Sequence, residues 1–272
     1  MEGELFVYHE RLVAFESGPR DSGTCVVVIG GMTDGLLSLS FVPLLSQKCV
    51  EAGYSIVQVI LSSSYTAYGL SSLQQDSEEM AALLDHPRMQ QKSRILLLGH
   101  STGCQDLLWY LQNQKPDRRI VAAILQGAVS DRDYLQASLP NYNQILEWAE
   151  EQCAAGKPKA IYGEVTFGAP MTAYRMRSLL ARLGDDDYFS MDLSVEEKRQ
   201  KFSRVSVPIY IVLSAEDEYV VCKEKYLTCE QSYKDSCEMI KEVLMIPDAD
   251  HALSQPQAQE HLCSLVTRIL QN

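Results

Sequence analysis

An α/β fold with a mostly parallel sheet, covered by helices on both faces, is predicted by three features of the sequence. Short apolar runs of strand length alternate with stretches whose apolar residues recur at helical spacing. One run, Ile95-Leu96-Leu97-Leu98, leads through Gly99-His100-Ser101-Thr102-Gly103 straight into the helical pattern Cys104 to Leu111. Between 131 and 205 the alternation lapses into helical patterns with no strand among them. Strands are expected near 4–16, 25–30, 54–61, 94–99, 119–126, 208–214 and 242–246, and helices near 40–52, 72–85, 102–114, 221–235 and 257–271. Continuous runs such as Pro208 to Leu213 suit strands buried on both faces, as parallel strands are. In such sheets functional residues gather at the strands' C-terminal ends.

The strand Cys25 to Ile29 is followed by Gly30-Gly31-Met32-Thr33-Asp34-Gly35, a loop whose glycines let backbone approach a bound group closely. The run 94–99 ends in Gly-x-Ser-x-Gly. Between a strand and a helix this pattern holds a serine in a strained turn, and the two glycines let strand and helix pass closely. Ser101 is therefore the candidate nucleophile. Such a serine needs a base, and the base a carboxylate to orient it.

Two histidines lie downstream of Ser101. His251 follows the strand pattern Val243 to Ile246 and the polar turn Pro247 to Asp250, which sets it at a strand's C-terminal edge. His261 lies inside the helical pattern Gln259 to Leu270 and belongs on a helix surface. Asp217, soon after the strand Pro208 to Leu213 and flanked by Glu216 and Glu218, is the expected acid. Asp131, after the strand Ile120 to Leu125, competes with it one strand earlier. The backbone amides of Met32 and Thr102 are the expected oxyanion donors, the latter at a helix N-terminus where the dipole favours negative charge.

These segments, extended to Gly99 to Asp106 (GHSTGCQD), stand beside Leu61-Ser62-Ser63-Ser64-Tyr65, Val129-Ser130-Asp131-Arg132-Asp133, Gly184 to Leu193 (GDDDYFSMDL) and Ser214 to Val220 (SAEDEYV). Over most of its length the chain thereby resembles a eukaryotic α/β-hydrolase group that includes fungal siderophore esterases. The resemblance implies a serine-hydrolase fold with an inserted helical lid, and it places nucleophile, acid and base on Ser101, Asp217 and His251. It transfers substrate identity poorly. Met32 and Tyr188 depart from the residues expected in the group, which points to an altered pocket.

With 272 residues the chain is expected to form one domain, 1–272, with the lid inserted at about 131–205. Its 36 acidic and 24 basic residues give a net charge of −12 with no basic stripe, a surface that repels nucleic acid and anionic membranes. The start, Met1-Glu2-Gly3-Glu4, lacks an apolar signal core, and no run reaches the roughly 20 apolar residues of a membrane helix. A cytoplasmic protein is expected. Of eight cysteines, Cys25, Cys104 and Cys263 sit in strand or helix patterns and suit free thiols. Cys222, Cys229 and Cys237 have no histidine among them, so neither metal nor cofactor is expected.

Within the lid, Ser194-Val195-Glu196-Glu197 is a capping box that starts a helix running to about Phe202. Tyr174 to Leu183 and Tyr142 to Ala155 are two further helices. Asp185, Asp186 and Asp187 could attract a cationic substrate, but a solvated turn capping the helices is the favoured reading. Tyr65, Tyr68, Tyr142, Tyr174, Tyr188 and Phe189 are candidates for an aromatic pocket wall, though each suits ordinary packing as well. The expected function is a serine hydrolase that cleaves a carboxylic ester of a small or medium organic molecule through an acyl-enzyme. Acyl transfer on the same triad, and non-catalytic ligand binding on a hydrolase scaffold, stay open. Neither the acyl group nor the oligomeric state is legible in the sequence.

Overall fold

The computed structural model describes residues 1–163 and 168–271. The strands are β1 (Gly3–His9), β2 (Leu12–Ser17), β3 (Thr24–Ile29), β4 (Ser55–Val59), β5 (Arg94–His100), β6 (Ile120–Gln126), β7 (Ile209–Ser214) and β8 (Ile240–Ile246). They form one sheet in the order β1-β2-β4-β3-β5-β6-β7-β8. Neighbours from β4 to β8 pair in parallel, while β1 with β2 and β2 with β4 are antiparallel. Helices α1 (Val42–Glu51), α2 (Leu73–Asp85), α3 (Pro87–Gln90) and α4 (Gly103–Asn113) precede β6. Between β6 and β7 come α5 (Asp131–Ser138), α6 (Tyr142–Ala154), α7 (Ala173–Leu180) and α8 (Val195–Phe202). Then follow α9 (Lys223–Leu227), α10 (Glu230–Ser236) and α11 (Pro256–Gln271). Among the described residues no helix is long and apolar enough to cross a membrane.

Successive side chains of a strand point to opposite faces, so a central strand with helices on both sides must be apolar throughout. On one face Val27, Ile29, Leu97, Leu125 and Ile211 pack with Leu73 and Met80 of α2 and Leu107 of α4. On the other, Val26, Val28, Leu96, Leu98, Ile124 and Val212 pack with Leu45 of α1 and Leu262 and Val266 of α11. A third cluster joins α5, α6 and α7 through Leu135, Ile145, Met176 and Leu179, and Met32 packs against it from the loop after β3.

The structure corrects five local expectations. The strand over 4–16 is a hairpin that reverses at Glu10 (φ 43°) and Arg11, residues without glycine, proline or asparagine to mark a turn. The helix over 221–235 divides into α9 and α10, and α5 forms where Ser130 caps the polar stretch after β6 by accepting from Asp133 N–H. Asp186 and Asp187 are buried rather than solvated. Asp186 accepts from Arg175 Nη1 at 2.5 Å, and Asp187 lies 3.1 Å from Arg132 Nε. Tyr188 and Phe189 are fully buried beside Phe202 in the main core. The capping box at Ser194 is present with both of its reciprocal hydrogen bonds.

What brings β3, β5 and α4 together is the absence of side chains. A Cβ on Gly103 would lie 2.6 Å from the carbonyl oxygens of both Ile29 and Gly30, and one on Gly99 would lie 2.5 Å from Gly103 O. These neighbours are backbone and cannot rotate away. Gly103→Ala should therefore lower unfolding free energy in urea by about 1–3 kcal/mol.

Candidate functional site

Ser101 stands at the turn from β5 into α4 with φ 53°, a left-handed conformation uncommon for a residue with a side chain. Its N–H donates to Gln126 O at 2.9 Å, and its carbonyl accepts from Cys104 N–H at 2.9 Å, so both flanks of the turn are pinned. The loop after β3 presses on it: a Cβ on Gly31 would fall 2.6 Å from Ser101 Cβ and 3.3 Å from its Oγ. That loop is fastened by Asp34, whose Oδ2 accepts from Gly31 N–H at 2.7 Å while its own N–H donates to Gly31 O at 3.1 Å. Thr102 is the residue before α4, and Met32 follows the Gly-Gly pair. Among the described residues neither the Met32 nor the Thr102 N–H has a protein acceptor.

His251 follows β8 and Asp217 follows β7, both at the sheet end that carries Ser101. Asp217 Oδ2 lies 2.7 Å from His251 Nδ1, and its Oδ1 accepts from Tyr219 N–H at 3.0 Å. A carboxylate only accepts, so Nδ1 carries the proton and Nε2 keeps a free lone pair. Glu218 accepts from His251 N–H at 2.9 Å, and the Tyr219 ring meets the imidazole edge-on at 4.7 Å between centroids. Gly127 (φ 65°) lies beneath the ring, where a Cβ would come 3.0 Å from His251 Cε1.

Gln126, at the end of β6, joins the two halves. Its backbone oxygen holds Ser101 N–H, its Nε2 donates to His251 O at 3.0 Å, and its Oε1 lies 2.5 Å from His100 Nδ1. The His100 ring stacks 4.8 Å from that of His251. Burial, and after it the closeness of His251, pushes His100 down to about 4, so it stays neutral and its Nδ1–H donates to Gln126. The sequence reading passes over both residues, although a lone glutamine ending the apolar run Ile120 to Leu125 marks the place.

The competing candidates lie elsewhere. Asp131 Oδ2 accepts from Gln105 Nε2 at 2.6 Å instead of holding His251, and burial followed by the charge of Asp186 pushes its carboxyl up to about 7. His261 is exposed on α11, its Nδ1 bonded to Gln257 O at 2.8 Å. Among the described residues no three His, Cys, Asp or Glu side chains are grouped as a metal centre requires. A surface hollow of about 750 Å³ between β2 and α1 contains none of the candidate residues.

Comparison with known proteins agrees with this fold. The family model described as "Protein of unknown function (DUF1749)" matches residues 1–272. The UPF0613 protein PB24D3.06c of Schizosaccharomyces pombe is 31% identical over 80% of this chain and 78% of its own length. Fusarinine C esterase sidJ of Aspergillus fumigatus is 26% identical over 99% of this chain and 95% of its own. Among solved structures, siderophore hydrolase EstB from Aspergillus fumigatus superposes with a TM-score of 0.79 at 25% identity, covering 99% of this chain and 97% of that one. The fold is that of the α/β-hydrolases.

Two outcomes follow from the geometry around β6. Gln126→Leu strands His100 Nδ1–H and His251 O without partners, and should cost about 1–3 kcal/mol for each buried group left unpaired, read from denaturant unfolding. At Asp131 the folded chain holds a proton that the unfolded chain releases near pH 4, so its contribution to stability is whole below that and is lost as pH rises toward about 7. Asp131→Asn should flatten the decline in unfolding midpoint between pH 4 and 7 relative to the natural protein; an identical slope would contradict the raised carboxyl.

Proposed function

The chain belongs to the DUF1749 family, and from that footing we propose that it is a serine esterase, with Ser101 as nucleophile, His251 as general base and Asp217 as the acid that orients it. The observation that carries this reading is the pairing of a buried Asp217–His251 dyad at 2.7 Å with a serine held at φ 53° on the elbow of β5 and α4. Ser101 Oγ attacks the ester carbonyl carbon while His251 Nε2 takes its proton. The Met32 and Thr102 amides receive the oxyanion of the tetrahedral intermediate, and His251 returns the proton to the departing alcohol. Water then repeats the sequence on the acyl-enzyme, releasing a carboxylic acid. The names of the two Aspergillus relatives, an esterase and a siderophore hydrolase, support an ester as the bond cleaved.

The helices of 131–205 act as the lid of this single domain. Met32 touches the cluster that joins α5, α6 and α7, so the insertion reaches the oxyanion loop directly. Residues 164–167 of that span lie outside the described residues.

A fluorophosphonate probe, which reacts only with an activated serine, tests the assignment. The natural protein should be labelled at Ser101, and Ser101→Ala should lose both labelling and ester hydrolysis. Asp217→Asn should lower turnover by about 10⁴, and His261→Ala should leave it unchanged. Retained labelling in Ser101→Ala, or a dominant loss at Asp131 with Asp217 spared, would overturn the triad. Analysis of the products in the presence of an added alcohol separates hydrolysis from acyl transfer.

A further inference from the structure

Five aromatic rings stand in a row through the site. Between centroids, Phe41 and His100 are 6.2 Å apart, His100 and His251 4.8 Å, His251 and Tyr219 4.7 Å, and Tyr219 and Tyr134 5.0 Å. Phe41, His100 and His251 are buried, so the row begins in the core. It surfaces beyond His251, where Tyr219 is 39% exposed and Tyr134 half-buried. No step of the proposed reaction uses either tyrosine.

Both side chains start from pinned backbone. Tyr219 N–H donates to Asp217 Oδ1, so the carboxylate that meets His251 Nδ1 also fixes the base of this ring. Tyr134, in α5, donates its N–H to Ser130 O at 3.2 Å, and its side chain packs on the apolar cluster of α5, α6 and α7. The two rings meet at 78° and so form a corner. A third ring entering such a corner can stack offset on one wall and lie edge-to-face on the other.

Proton transfer decides which half of an ester meets these rings. His251 Nε2 takes the Ser101 proton and returns it to the departing alcohol, so the leaving oxygen must come within hydrogen-bond distance of the imidazole. The carbonyl oxygen turns instead to the Met32 and Thr102 amides. Groups packed on the imidazole therefore face the alcohol half.

We propose that Tyr219 and Tyr134 form the alcohol subsite, and that the enzyme selects esters whose alcohol half carries an aromatic ring one or two bonds from the leaving oxygen. The inference rests on the esterase reading. A saturated ring of the same bulk finds the apolar surface but not the aromatic contact, so the subsite separates the two at nearly equal size. Because Tyr134 stands on the first helix after β6, the insertion takes part in recognising the alcohol.

Benzyl acetate and cyclohexylmethyl acetate provide the test. Both release a primary alcohol and leave the same acetyl-enzyme, so a difference in kcat/KM, after division by each ester's rate with hydroxide, belongs to the alcohol half. The natural protein should favour benzyl acetate by about threefold or more. Tyr219→Leu should bring that ratio close to one, and Tyr219→Phe, which keeps the ring, should preserve it. Ethyl phenylacetate and ethyl cyclohexylacetate carry the same two rings on the acyl side, and their ratio should be unmoved by Tyr219→Leu. Contact that merely clasps the insertion to the loop after β7 lowers both members of a pair together and leaves every ratio in place. A ratio of one in the natural protein would overturn the subsite whether or not the variants fold. So would a ratio that survives Tyr219→Leu, one lost in Tyr219→Phe, or an equal change on the acyl side. A protein that takes no fluorophosphonate at Ser101 and cleaves no ester would overturn the esterase reading instead.

Discussion

The close backbone approach at the ends of β3 and β5 is the constraint on which the rest depends. Gly31 touches Ser101, Gly103 touches the carbonyls of Ile29 and Gly30, and Gly99 touches Gly103. With a side chain at any of these contacts the loop after β3 would stand off from α4, and the Met32 and Thr102 amides would no longer flank the serine. The parallel sheet makes this approach possible, because it delivers the C-terminal ends of β3, β5, β6, β7 and β8 to one edge. Five strands then each contribute one part: a loop, a serine, a glutamine, an aspartate and a histidine.

Polar groups at that edge are fixed from behind by one another. Gln126 is the clearest instance, since its backbone meets the Ser101 N–H and its side chain meets the His251 carbonyl. A neutral His100 fills the space between them. It adds an aromatic face against His251 without adding a charge that would compete for Asp217. Side chains buried in this way have few alternative partners, so their hydrogen bonds define geometry as much as they add stability.

Much of this was legible in the sequence where a local rule and a tertiary need agree. The run Ile95 to Leu98 and the glycines around Ser101 state a strand, a pinch and a helix in consecutive residues, and Val243 to Ile246 places His251 by the same logic. The reading failed where tertiary partners decide. Asp185 to Asp187 reads as solvated because three adjacent acids are normally exposed, yet Arg132 and Arg175, over ten residues away or more, bury two of them. The hairpin at Glu10 was hidden because its turn uses neither glycine nor proline. Asp106 carried no signal at all: in the sequence it is an acid in the first turn of a helix, a common and favourable position, and only packing shows that it faces another acid.

Arg175 has a further consequence. It lies on an inserted helix, yet its guanidinium ends among residues of the hydrolase core, bound to Tyr68 O and beside Asp76 and Asp106. A helix anchored by a buried charge cannot lift without withdrawing that charge from Asp76 of α2 and Asp106 of α4. The insertion is thus not a detachable cassette. Grafted onto another hydrolase, these helices would carry a cation into a scaffold lacking Asp76 and Asp106, and foreign helices set here would leave those two acids without their cation. Any change of specificity by exchange of modules has to move both sides of that contact together.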